Sequence, residues 1–262
     1  MDKLKGNVAI ITGSATGVGA ATALLLAEKG CHVVINYSKS EKEAKETAAA
    51  CEEKGSEVLL CQADVSKDDD CRRMTEAAME KWSRIDALVN NAGTTKFCNH
   101  HNLDGLTHED FTRIYGVNVI GPYQMTRAIA PHMKKTGNGA IVNVASTAAL
   151  TGIGSSIAYA ASKGALVTMT LSLARVLGPE IRVNAVCPGF IQSRWLMEGH
   201  GKENYEMIKK YVEDGSPLGA TATPEIVAEA ILYFISGASI TTGETLIIDG
   251  GFHLNQVPLA RR

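Results

Sequence analysis

The chain has 262 residues, 45% of them hydrophobic and 21% charged, which is enough apolar side chain for a substantial core and excludes a disordered polypeptide. Its formal net charge of -2 offers no basic field for nucleic acid or an anionic membrane, so neither is expected as a partner. Six scattered cysteines, Cys31, Cys51, Cys61, Cys71, Cys98 and Cys187, form no Cys-x-x-Cys pair, and no histidine cluster stands at zinc-ligand spacing; reduced thiols and no metal are the expectation.

Residues 1–7 carry charges, and the apolar run that follows is too short for a signal peptide or a membrane span, which points to the cytoplasm. From there short β-branched runs alternate with longer helical stretches. Strands are predicted at 8–12, 32–36, 57–61, 86–90, 140–144, 181–185 and 244–248, with helices at 17–29 and 41–54 filling the first crossovers. That rhythm predicts an α/β fold, a doubly wound, seven-stranded parallel sheet with helices on both faces. No repeat, low-complexity tract or linker divides the chain, so one domain over 1–262 is expected. The rhythm breaks once, at 190–216, a mostly helical insertion with Trp195, Met197, Tyr205, Met207 and Tyr211 that is placed to cover a site.

The first strand runs into Thr12, Gly13, Ser14, Ala15, Thr16, Gly17, Val18 and Gly19, and an alanine- and leucine-rich helix follows. Glycines there let the backbone approach a ligand, and the helix N-terminus favours a pyrophosphate. The spacing is Gly-x-x-x-Gly-x-Gly, different from the commonest dinucleotide fingerprint. An acidic residue usually ends the second strand of such folds to hold the adenine ribose. Here Asn36, Tyr37, Ser38, Lys39 and Ser40 stand instead, and Lys39 with neighbouring hydroxyls suits a 2′-phosphate, favouring NADP(H), with NAD(H) as the alternative.

Tyr159 and Lys163 are four apart on a predicted helix and share a face, with Ser146 thirteen residues before the tyrosine at the end of a predicted strand. An ammonium beside a phenol should lower the phenol's pKa toward working pH, fitting it to exchange a proton with a carbonyl oxygen while Ser146 hydrogen-bonds the same oxygen.

With these motifs in this order, the chain resembles the short-chain dehydrogenase/reductase family from about Lys3 to Gly251. Thr12 to Gly19 is similar to its cofactor turn, Asp64-Val65 to its adenine-side pair, and Asn90-Asn91-Ala92-Gly93 to its central-strand motif. Asn118, Ser146, Tyr159 and Lys163 stand where its catalytic tetrad stands, and Pro188-Gly189 matches the motif after its sixth strand. The resemblance implies Tyr159 as acid/base and Lys163 on the nicotinamide ribose. It also implies Ser146 orienting the substrate oxygen and Asn118 holding a water that links Lys163 to solvent. Asn91, Ala92 and Gly93 would line the cofactor cleft, and Ile191 and Ser193 would meet the carboxamide, Ser193 standing where many relatives have threonine. Thr16 departs from the basic residue that many NADP-preferring relatives carry before the second glycine, so the NADP reading rests on Tyr37, Ser38 and Lys39.

The resemblance places the substrate near Tyr159, with Thr94, Thr95, Phe97, Thr147, Ala148, Gln192 and Trp195 as candidate contacts. Adjacent His100 and His101 diverge and make a poor chelate. The last strand, ending Ile248-Asp249-Gly250-Gly251, resembles the family's subunit contact and implies a homotetramer, with a homodimer as the smaller option. A reductase of the 3-oxoacyl-carrier-protein type or a general ketone reductase is expected. A sugar or polyol dehydrogenase is the near alternative, and an inactive cofactor sensor the distant one, which would be expected to have replaced Tyr159 or Lys163.

Overall fold

The computed structural model describes residues 4–254, so the expected domain limits at 1 and 262, and the start of the resemblance at Lys3, lie outside the described residues. The β-branched runs form β1 (Val8–Ile11), β2 (His32–Tyr37), β3 (Val58–Gln62), β4 (Ala87–Asn90), β5 (Gly139–Val144), β6 (Ile181–Pro188) and β7 (Thr245–Ile248). They make one parallel sheet in the order β3-β2-β1-β4-β5-β6-β7. Every residue of β1, β4 and β5 is buried, as parallel strands covered on both faces require.

The crossovers are α1 (Gly17–Glu28), α2 (Glu41–Glu53), α3 (Asp68–Trp82), α4 (His108–Tyr115), α5 (Gly121–Thr136), α6 (Ala148–Thr151), α7 (Ile157–Leu177), α8 (Arg194–His200), α9 (Lys202–Gly215) and α10 (Pro224–Leu232). Successive strand residues point to opposite faces. Ile11, Val33 and Val142 therefore meet Leu26, Ala44 and Ile231 on one side. Ile10, Val34 and Ile141 meet Met74, Met125 and Met133 on the other. Residues 190–216 hold the helix pair α8 and α9.

Helix α7 alone among the described residues is long and apolar enough to cross a membrane by length and composition. It packs against α6 and β6, and its buried Ser162, Lys163 and Thr170 give it polar work inside the fold. Thr170 Oγ1 accepts from Asn143 Nδ2 at 2.9 Å, and Asn143 Oδ1 accepts from Asn90 Nδ2 at 2.9 Å, a buried ladder that ties α7 to β5 and β4. The six cysteines are unpaired, and all but Cys98 are buried.

Strand order reverses between β1 and β4, which opens a crevice at the carboxyl ends of these strands. The β1–α1 turn fills its floor. A Cβ on Gly19 would lie 2.5 Å from the Gly13 carbonyl oxygen and 2.6 Å from Asn91 Nδ2. At Gly17 a Cβ would meet nothing within 4 Å, but φ is +59°. Gly19→Ala is therefore expected to destabilise by about 2–3 kcal/mol through overpacking. Gly17→Ala should cost only about 1–2 kcal/mol, for its left-handed backbone. Urea unfolding of both variants checks the order; equal losses would count against a packing role for Gly19.

Candidate active site

The turn after β1 is held from three sides. The Gly13 N–H donates to Asn36 Oδ1 at 2.9 Å, and Asn36 Nδ2 donates in turn to the carbonyls of Cys61 and Ala63. Asn91 Nδ2 donates to the carbonyls of Thr12 and Gly13, while Thr12 Oγ1 accepts the N–H groups of Asn91 and Ala92, each at 3.0 Å. Gly13, at φ +62°, lies so close to β4 that a Cβ would stand 2.9 Å from Ala92 Cα. Sequence reading named Asn36 at the end of the second strand but gave it no role at the site, although a lone asparagine in an apolar strand was a visible signal.

A cleft of about 1630 Å³ runs along the strand ends. Of the residues expected on its wall, Gly13, Thr16, Gly17, Val18, Ser38, Lys39, Asp64, Val65, Asn91 and Ala92 line it toward one end, and Gly93 lines it beside Lys163. Ser146, Tyr159, Lys163, Pro188, Gly189, Ile191 and Ser193 line it toward the other.

Four expected residues do not line the cleft. Ser14 is buried, its hydroxyl donating to the Ile11 carbonyl and accepting the Asn36 N–H, a stitch between β1 and β2. Gly19 serves packing. Tyr37 is turned into the apolar core beside α2, because alternation along β2 sends it there, so any reading of the second-strand loop must rest on Ser38 and Lys39. Asn118 sits in a π-turn, Gly116–Ile120, fully buried. Its Oδ1 accepts the Thr94 N–H at 2.8 Å, and its Nδ2 donates to the Thr94 carbonyl and to Ser162 Oγ.

Near Lys39 the wall includes Lys67 and Arg73, which sequence reading missed. Arg73 donates to the Gln62 carbonyl and to Asp70, while Gln62 Nε2 donates to the Ser38 carbonyl. Asp64 is occupied by the N–H and hydroxyl of Ser66.

At the other end, Ser156 caps α7 by accepting the Tyr159 N–H at 3.2 Å, which aims the first turn of the helix across the end of β5. Lys163 Nζ, one turn on, donates to the Val144 carbonyl at 2.7 Å and stands 5.6 Å from the centre of the Tyr159 ring. Ser146 Oγ accepts the Ala148 N–H at 3.2 Å.

Helix α8 roofs this end. Trp195 tilts against Tyr159, with centroids 6.1 Å apart, and against Phe97 at 5.9 Å, while the Phe97 ring fills the space where Gly199 has no side chain and meets His200 edge-on. Arg194 pairs with Glu43 of α2 at 3.3 Å, bracing the roof against the far side of the cleft.

Of the expected substrate contacts, Thr94, Thr147 and Trp195 line the cleft. Thr95 is bonded to Ser155, Gln192 to Thr221, Phe97 packs behind the roof, and Ala148 is buried in α6, so these four support the wall from behind. His100 Nε2 lies 3.1 Å from the Gly154 carbonyl, and among the described residues no three potential metal-ligating side chains converge.

A family model described as Enoyl-(Acyl carrier protein) reductase matches residues 13–253. A candidate ketoacyl reductase of the granaticin polyketide synthase of Streptomyces violaceoruber is 42% identical over 253 residues, 97% of this chain and 98% of that protein. The 3-oxoacyl-[acyl-carrier-protein] reductase of Thermotoga maritima is 36% identical over 254 residues, 95% of this chain and 98% of that one. The chain belongs to the short-chain dehydrogenase/reductase family. Among solved structures, NAD+-bound xylitol dehydrogenase superposes with a TM-score of 0.87 at 27% identity, covering 95% of this chain and 100% of that one.

As a short-chain dehydrogenase/reductase the protein is an oxidoreductase working with a nicotinamide cofactor, and its cleft fits one. Gly17 opens onto free space at the N-terminus of α1, where unpaired N–H groups and the helix dipole suit a pyrophosphate. A Cβ on Gly93 would come within 3.7 Å of Lys163 Nζ, so the glycine keeps the floor clear beside the ammonium.

The electrostatics of this family member correct one expectation. Burial pushes the Tyr159 hydroxyl up to about 12, and the Ser146 hydroxyl beside it only partly offsets that. Burial also takes Lys163 down to about 8. The expected depression of the phenol is absent because desolvation outweighs the Ser146 hydrogen bond that favours the charged form.

A lysine with a folded pKa below its ordinary value makes stability rise with pH between the two, since there the unfolded chain holds the proton and the folded chain does not. Between pH 8 and 10 the unliganded protein should therefore gain up to about 3 kcal/mol from Lys163 relative to a Lys163→Met variant. Urea midpoints of both proteins across that range check it; parallel curves would refute the burial cost.

Proposed function

We propose that this protein is an NADP(H)-preferring carbonyl reductase of the 3-oxoacyl type, with Tyr159, Ser146, Lys163 and Asn118 as its working residues. The observation that carries this reading is the Tyr159 hydroxyl beside Ser146 at one end of the cleft, with the buried Lys163 one turn away. When bound, the nicotinamide supplies the hydride for the carbonyl carbon and accepts it back in the reverse direction. Tyr159 gives its phenolic proton to the carbonyl oxygen as that oxygen becomes a hydroxyl, and Ser146 hydrogen-bonds the same oxygen and holds it in line. Lys163, with a pKa near 8, holds a proton it can exchange near neutral pH and offers its remaining N–H groups to ribose hydroxyls. Asn118 acts by fixing Thr94 and Ser162 on either side of the lysine. Gly13, Thr16, Gly17, Val18, Asp64, Val65, Asn91, Ala92, Gly93, Pro188, Gly189, Ile191 and Ser193 form the cofactor cradle.

The NADP(H) preference is supported by Ser38 and Lys39 on the cleft wall. A cytoplasmic homotetramer completes the proposal. Exposed apolar side chains, Tyr123 of α5, Leu171 of α7, Ile226 of α10 and Leu246 of β7 among them, support the assembly. Oxidation of a polyol is the second reading, favoured by the likeness to xylitol dehydrogenase.

Tyr159→Phe is expected to lower kcat by at least about 100-fold while the Kd for NADPH stays within about two-fold, since only the proton is removed. Stopped-flow turnover and fluorescence titration check this, and wild-type turnover would exclude Tyr159. Lys39→Glu should reverse the ratio of kcat/KM between NADPH and NADH by about 10-fold or more, the worth of one charge-assisted phosphate contact. An unchanged ratio would remove Lys39 from cofactor choice.

A further inference from the structure

We propose that His253 is a specificity-determining residue that accepts a hydrogen bond from a substrate hydroxyl, so that hydroxy ketones are the preferred carbonyl substrates. This rests on the reductase reading above and narrows its substrate class. The cleft lining includes Trp195, Leu196, Ile208, Val212, Phe252 and His253, and the Phe252 ring meets Tyr211 of α9 edge-on.

The ring of His253 is fixed. Its Nδ1 stands 2.9 Å from both carboxylate oxygens of Asp249, which also accept the Gly251 N–H at 2.9 Å and the His253 N–H at 2.8 Å. The Asp249 side chain is only 4% exposed. A carboxylate engaged in this way takes its hydrogen bond from Nδ1, which leaves Nε2 as the edge of the ring open to a substrate hydroxyl. Among the described residues Nε2 has no hydrogen-bond partner, and 31% of the side chain remains open.

An acceptor flanked by apolar side chains discriminates by the penalty it imposes. A hydroxyl satisfies it, whereas a methyl group of the same size desolvates it and leaves it unpaired. The Asp249 carboxylate behind the ring disfavours an anionic group at the same place, which selects a neutral hydroxyl over a carboxylate. His200, the other imidazole on this wall, lies edge-on to Phe97, and burial lowers its pKa, so it serves packing.

The test compares hydroxyacetone with butanone, and hydroxy ketones whose hydroxyl lies one and two carbons further out with their methyl isosteres. Wild type, His253→Leu, His253→Phe and His253→Gln are each assayed by cofactor absorbance. Wild type should favour the hydroxylated member by about 10-fold or more in kcat/KM for at least one chain length. In His253→Leu the ratio should approach one through a higher KM for the hydroxy ketone, with kcat within about two-fold. His253→Phe should behave alike and carries the test if the leucine variant fails to fold, and His253→Gln, with its amide oxygen, should keep part of the preference. Turnover of both ketones with a ratio unaltered by these substitutions would overturn this inference and leave the reductase reading intact. No turnover of any ketone by folded, cofactor-binding wild type would overturn both.

Discussion

The close approach of the β1 turn to the end of β4 is the constraint on which the cleft depends. Gly13 lies where any side chain would strike Ala92, and the Asn91 amide bonds the carbonyls of Thr12 and Gly13. Asn36 holds the same turn from β2 and reaches on to β3. Backbone donors left unpaired at the start of α1 therefore face the crevice because polar side chains from neighbouring strands have taken up the rest of the loop's hydrogen-bonding capacity. Without that bracing the switch point of the sheet would be a gap between strands with no anion-binding floor.

The opposite end of the cleft is governed by burial. A half-buried phenol and a buried amine are each partly desolvated and thereby biased toward the neutral form, the tyrosine upward and the lysine downward. The two shifts bring the lysine closer to neutral pH and carry the phenol away from it, so the resting site is poised to hold a proton on Tyr159. The fold bears the cost of this arrangement through the Val144 carbonyl, the Ser156 cap and the Asn118 clamp, all of which fix positions and contribute no chemistry of their own.

The roof joins these two ends. Helix α8 is braced by Arg194 against α2 on the cofactor side and by Phe97, seated over Gly199, on the substrate side. A helix of seven residues has little stability alone, so its position follows from these two contacts and from Trp195 against Tyr159. The shape of the substrate space is thus set by tertiary contacts between segments far apart in the chain.

The seven strands and their parallel pairing were legible in the sequence, because alternating β-branched runs and helical stretches admit few other packings. The spacing of Tyr159 and Lys163 was legible as well, since helical period alone puts them on one face. What the tertiary structure decided was where side chains with equal local claims would point. Strand alternation turned Tyr37 into the core, the end of β2 at that residue let Lys39 reach the wall, and a π-turn buried Asn118 against Thr94 and Ser162. Residues distant in the chain, Arg73 and His253 among them, came to the cleft only through the packing of α3 and the fold of the segment after β7. The direction of the tyrosine's shift was likewise beyond local pattern, because desolvation depends on everything packed around a group, whereas the spacing of two residues reports only that they are neighbours.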